Sequence, residues 1–195
     1  KKRAFLIGFG TLALSGCGVF RKPPSVPIVR DGFIVNAQPV AQDNMTAFLP
    51  EGDTIYLSGS INEDTAAGFA AVREANPGAN RLVILQANGP AGSAAGMDFG
   101  RAVREAGFRT HLRNDSVISG GAVDAFLGGT QRTIEDGAVI GALRGADVDA
   151  HKGFARDMTG GDGYARFAQE YGGRRRPRTM TIAEIGAMGI VSANA

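Results

Sequence analysis

From residue 32 onward, short apolar runs alternate with amphipathic stretches. The stretches Gly32–Ala37 and Asp53–Ile61 have the apolar, turn-bounded character of strands. Leu82 to Gln86 holds four aliphatic residues and ends in a turn, the pattern of a strand buried on both faces. Between these runs, "EDTAAGFAAVREAN" sets Ala67, Phe69, Ala70 and Val72 near one side and stops at Pro77-Gly78, which predicts a helix. "AAGMDFGRAVREAG" predicts a second helix, whose Gly96 and Gly100 share one face and admit another backbone closely. "FRTHLRND" predicts a short strand, "GGAVDAFLGG" a third helix and "GAVIGAL" a further strand. This alternation predicts an α/β domain with a largely parallel sheet, its centre at Leu82, Val83, Ile84 and Leu85 and packed by Phe126 and Leu127. Segment 144–178 is polar and glycine-rich and carries no assigned element. "TIAEIGAMGIV" predicts a last short helix and docked tail, with Thr181 as N-cap and Glu184 three residues on.

The first residues break this pattern. "KKRAFLIGFGTLALSGCG" has a basic start and an apolar run too short to span a bilayer comfortably, as a secretory signal does. Its ending, Leu14-Ser15-Gly16-Cys17, resembles the lipobox of bacterial lipoproteins, which implies cleavage before Cys17 and a diacylglycerol on its thiol. Residues 1–16 are then a signal peptide, and 17–30 a lipidated cysteine with a tether stiffened by Pro23, Pro24 and Pro27. Residues 31–195 form the α/β domain. Cys17 is the sole cysteine, so no internal disulfide forms. The resemblance implies a location on the periplasmic side of the envelope, and Gly18 after the cysteine implies the outer membrane. Formal charge is +2, and removing Lys1, Lys2 and Arg3 leaves +2 − 3 = −1, which gives no argument for nucleic acid.

The chemistry centres on "DSVISGGAVDAFLGGTQR", Asp115 to Arg132: a strand end, a small-residue turn and an apolar helix. Some hydrolases place a nucleophilic serine at such a turn. Ser119 is either a nucleophile there or a helix-capping hydroxyl. As a nucleophile it needs a base, and His111, His151 and Lys152 are the candidates. Asp98 and Asp124 fall inside apolar helical patterns, where either could face a cleft and a solvated face is the commoner explanation. No His or Cys spacing suits a metal. "NGPAGSAAG" lacks the spacing and the Lys-Ser/Thr ending of a phosphate loop, so no cofactor is expected. "GGRRRPR", Gly172 to Arg178, is a basic cluster that reads either as a solvated loop or as a contact for an anionic envelope surface.

Taken in order, "IYLSGSI", "VILQANGPAGSAAGMDFGRAVREAG", "AFLGGTQR", "AVIGA" and "EIGAMGIV" resemble the ClpP/crotonase superfamily, closest to its exported ClpP-like bacterial branch. The resemblance spans Ile55 to Val191. Anchored on Ala125 to Gly129, it implies that the family's nucleophilic serine falls on Gly120, its flanking cysteines on Ile118 and Ala122, and its histidine on Leu143. The loop that lends a backbone N–H to the oxyanion falls on Pro90 and Ala91. Glycine cannot attack, leucine cannot take a proton, and proline has no N–H to give. The resemblance therefore implies a fold kept without its chemistry, binding an extended peptide between the third helix and 88–92, or an envelope protein. A one-residue slip makes Ser119 the nucleophile of a divergent serine hydrolase instead. An acyl-CoA ligand does not suit an exported compartment.

Overall fold

A computed structural model describes residues 45–145, 147–173 and 178–192, with the backbone of 29–30 and 33–34. Cys17 and the proline-rich tether lie outside the described residues. Strands β1 (Val29–Arg30) and β2 (Phe33–Ile34) pair antiparallel, the latter within the predicted strand 32–37. Then follow β3 (Thr46–Glu51), β4 (Thr54–Ser60), α1 (Thr65–Ala75), β5 (Arg81–Asn88), α2 (Ala94–Glu105), β6 (Arg109–Leu112) and β7 (Val117–Ser119). After them come α3 (Gly121–Leu127), β8 (Arg132–Ile134), β9 (Val139–Gly141), α4 (Val148–Thr159), α5 (Gly163–Tyr171) and α6 (Ile182–Ala187).

Strands β3 to β9 form one seven-stranded sheet, parallel except for β3 against β4. The sheet forks at β5: Arg81–Val83 pair with β6, while Gln86 and Ala87 pair with β7. One branch continues from β6 to β8 and the other from β7 to β9. At the fork the Ile84 carbonyl has passed the end of β6 and not yet met β7. The buried Ser116 hydroxyl donates to it at 2.6 Å and accepts from Arg113 N–H at 2.9 Å. A backbone group that the ladder cannot serve is thus satisfied by a side chain.

The expected centre is where the pattern put it for Leu82, Val83 and Ile84, while Leu85 is only half-buried. Leu82 and Ile84 are fully buried in the core, together with Phe126 and Leu127 of α3. Phe69 of α1 meets Phe108 edge-on at 5.1 Å and Phe99 of α2 at 5.5 Å. Helix α3 is buried along its whole length, because α2 turns its glycines toward it. A methyl carbon at Gly96 would stand 2.8 Å from Gly121 Cα, and one at Gly100 2.6 Å from the Asp124 carbonyl oxygen. The predicted cap of α6 is a full capping box between Thr181 and Glu184.

Segment 144–178 is not a featureless polar stretch, since it supplies α4 and α5. Asp147 caps α4 by accepting from Ala150 N–H at 2.9 Å, and Gly160 ends it in the left-handed conformation. These helices cover the turn between β7 and α3, which makes them part of the site.

Candidate active site

The turn after β7 is built on Gly120, with φ 58° and ψ −127°. Side-chain-bearing residues rarely adopt positive φ, so glycine makes this reversal without strain. Ser119 is the last residue of β7, its backbone paired with Gly141 of β9. It does not cap α3. The N-cap is Gly120 and no side chain caps the helix, because the chain reverses one residue later than a Ser119 cap requires.

Register places the other motif beside it. Ser119 pairs with Gly141, so Gly120 and Leu143 follow two adjacent strand ends. Between those ends lies the ring of Tyr164 from α5. Its hydroxyl donates to the Gly141 carbonyl at 3.2 Å and receives the Gly120 amide. Burial, and next the charge of Asp124, push the phenol well above its ordinary range, while the Gly120 amide pulls weakly the other way. Tyr164 therefore stays a neutral phenol that bridges the two strand ends.

The loop after β5 closes the other side. Gly121 N–H donates to the Gly89 carbonyl at 3.2 Å, and a β-carbon on residue 120 would overlap that same oxygen. The amide one residue after a nucleophile is a usual oxyanion donor, and here it is spent on the protein itself. Pro90 has no N–H. The Ala91 nitrogen would lie 3.1 Å from such a β-carbon, while Gly92 N–H donates to Asp124 Oδ2 at 3.2 Å. The direct backbone bond between Gly89 and Gly121 joins the start of α3 to this loop.

The group that sequence reasoning misjudged is Asp124. It is not on a solvated face: its side chain is 0 % exposed, and Oδ1 accepts from His151 Nε2 at 2.7 Å. His151 is itself 3 % exposed, its ring edge-on to Tyr164 at 5.7 Å. A His–Asp couple orients a base in many hydrolases. Here neither member meets solvent, and the remaining carboxylate oxygen holds the loop at Gly92. Gly92 has φ 56°, and a β-carbon there would strike the His151 ring at 3.0 Å. The couple thus clamps α3, α4 and the 89–92 loop together. Asp98 is on a solvated face, paired with Arg101 at 2.9 Å.

The other candidate bases are engaged elsewhere. His111 sits on β6 with Nδ1 2.8 Å from Thr133 Oγ1 and Nε2 3.1 Å from Glu135 Oε1. Lys152 faces Asp149 on the outside of α4. Among the described residues no hydrogen bond reaches the Ser119 hydroxyl. Of the basic cluster 172–178, Arg178 is bound to Glu184 at 2.6 Å and lies over the Tyr171 ring, while 174–177 lie outside the described residues. No group of metal-ligating side chains gathers among the described residues, and no helix among them is long and apolar enough to cross a membrane.

No protein-family model and no curated protein matches the chain. Solved structures do. An enoyl-CoA hydratase from Thermoplasma volcanium GSS1 superposes with TM-score 0.51 at 15% identity, over 77% of this chain and 71% of that one. A ClpP1 mutant from Listeria monocytogenes superposes with TM-score 0.51 at 12% identity, over 72% of this chain and 89% of that one. An enoyl-CoA hydratase/isomerase from Marinobacter aquaeolei gives 0.52 at 14% identity, over 77% and 70%. At such identities the likeness concerns the fold, and the chain carries the α/β fold shared by enoyl-CoA hydratases and ClpP-like proteins.

Proposed function

We propose that this chain is a lipid-anchored protein of the bacterial envelope whose ClpP/crotonase-like domain works by binding rather than by turnover. The observation that carries the reading is the Tyr164 hydroxyl bound to the Gly141 carbonyl beside Gly120, where the family resemblance puts the nucleophile, and two residues before Leu143, where it puts the base. A substrate carbonyl would need the space that this phenol fills. It would also need the Gly121 amide that Gly89 already holds. The divergent hydrolase built on Ser119 lacks support from the geometry, since His111 and His151 are both committed to carboxylates.

In this reading Cys17 carries the lipid, the tether holds the domain in the periplasm at the outer membrane, and the partner is an extended peptide or another envelope protein. Two acyl chains supply the paired anchoring that one chain does not. The test is expression of the full chain and its Cys17→Ser variant in a lipoprotein-processing bacterium. The mature N-terminus and its mass are then determined, with hydrolysis of casein and activated esters measured on the same preparations. The reading expects a diacylglyceryl Cys17 at the N-terminus, loss of membrane association in the variant, and no turnover by either. An unlipidated soluble protein would overturn the anchoring, and hydrolysis abolished by Ser119→Ala would overturn the non-catalytic reading.

A further inference from the structure

The face of the sheet turned away from α3 carries charge in an unusual arrangement. Arg81 opens β5 and Arg109 opens β6, and the parallel register pairs them side by side. Like charges directly opposite on neighbouring strands are destabilising. Among the described residues neither guanidinium has a carboxylate partner, and Arg81 meets no side-chain acceptor at all. Arg109 is held by Asn80, to whose Oδ1 it donates at 2.6 Å. The neighbouring acids are occupied: Asp53 accepts from the Thr54 hydroxyl, and Glu135 accepts from Asn114 N–H and faces His111.

The two arginines line a recess of about 260 Å³ with Thr110, Gln131 and Thr133. The Gln131 side chain has no partner among the described residues. The recess thus presents two guanidinium forks and a primary amide, with no carboxylate ion-paired to either arginine among the described residues. A carboxylate offers two oxygens and is satisfied by one fork, whereas a phosphoryl group offers enough oxygens to engage both forks and the amide. Its dianionic form also cancels the Arg81–Arg109 repulsion. We infer that this recess, at the starts of β5 and β6 rather than past the end of β7 where the chain turns at Gly120, is a binding site for a phosphoryl group independent of that turn.

The phosphoryl group has two possible sources, a soluble phosphate and an anionic lipid headgroup. Both are tested on the folded chain at fixed ionic strength. Inorganic phosphate is titrated by calorimetry, and vesicles of phosphatidylcholine with and without phosphatidylglycerol are titrated by sedimentation. Binding of phosphate, or of phosphatidylglycerol vesicles alone, weakened about tenfold or more in the Arg81→Gln and Arg109→Gln variants, supports the site and identifies the source. The thermal midpoint without phosphate separates a ligand role from a structural one. Arg81→Gln should keep or raise that midpoint, because it relieves the repulsion, while losing the rise that phosphate brings. Absence of binding by the native protein to either probe, or binding unchanged in both variants, overturns the inference.

Discussion

His151 Nε2 stands 2.7 Å from Asp124 Oδ1, with both side chains out of water. The two groups are 27 residues apart and belong to α4 and α3. Removing one member of such a pair leaves the other buried without its partner, at a cost of about 3–5 kcal/mol. His151→Ala should therefore lower the urea midpoint steeply at an unchanged slope. A loss below about 1 kcal/mol would mean that the pair does not hold the loop and helices together.

The Ser116 hydroxyl gives a separate test of the fork in the sheet. Ser116→Ala leaves the Ile84 carbonyl without its donor and should cost about 1–3 kcal/mol in denaturant unfolding. A neutral substitution would show that the carbonyl finds another partner.

Ile84 tests the core itself. Its side chain is part of the core cluster and is 0 % exposed. Ile84→Ala should cost about 2–5 kcal/mol by equilibrium unfolding, within the range for a buried aliphatic whose cavity does not collapse.

Much of this core could be read from the sequence because it is periodic. The aliphatic run at 82–85, the glycines at 96 and 100 and the Thr181–Glu184 box are local signals with local causes. Strand β3 escaped because it is an exposed edge containing Pro50, and β8 because it is three residues long around the buried Arg132. Helix α4 did leave a trace: Val148, His151, Phe154, Ala155 and Met158 follow helical spacing between a capping Asp147 and the stop at Gly160. His151 stands in that stripe as a core residue. The role of Asp124 was not legible, since a carboxylate in an apolar helix reads as solvated until its partner from another helix is known. Gly120 and Leu143 came into register only through the β7–β9 pairing, and Tyr164 appears in no motif.

Tyr164 makes the domain sensitive to alkali. Its folded pKa is raised, so its contribution to stability is complete below the ordinary tyrosine range near about 10 and is lost as pH climbs toward the folded value. Stability should fall across that window, and Tyr164→Phe should flatten the slope while costing about 0.5–1.5 kcal/mol at neutral pH for the bond to Gly141. Equilibrium unfolding of both proteins from pH 7 upward checks this. Parallel slopes would mean that the phenol ionises as freely folded as unfolded.

The central claim is that the turn at Gly120 keeps the shape of a nucleophile site without its chemistry. Its most direct measurement is the intact mass of the native protein and of Ser119→Ala after exposure to a fluorophosphonate. The geometry predicts that both masses stay unchanged, because the Ser119 hydroxyl has no base and the Gly121 amide is bound to Gly89. A single phosphonyl adduct on the native chain, mapped to Ser119 and absent from Ser119→Ala, would contradict it.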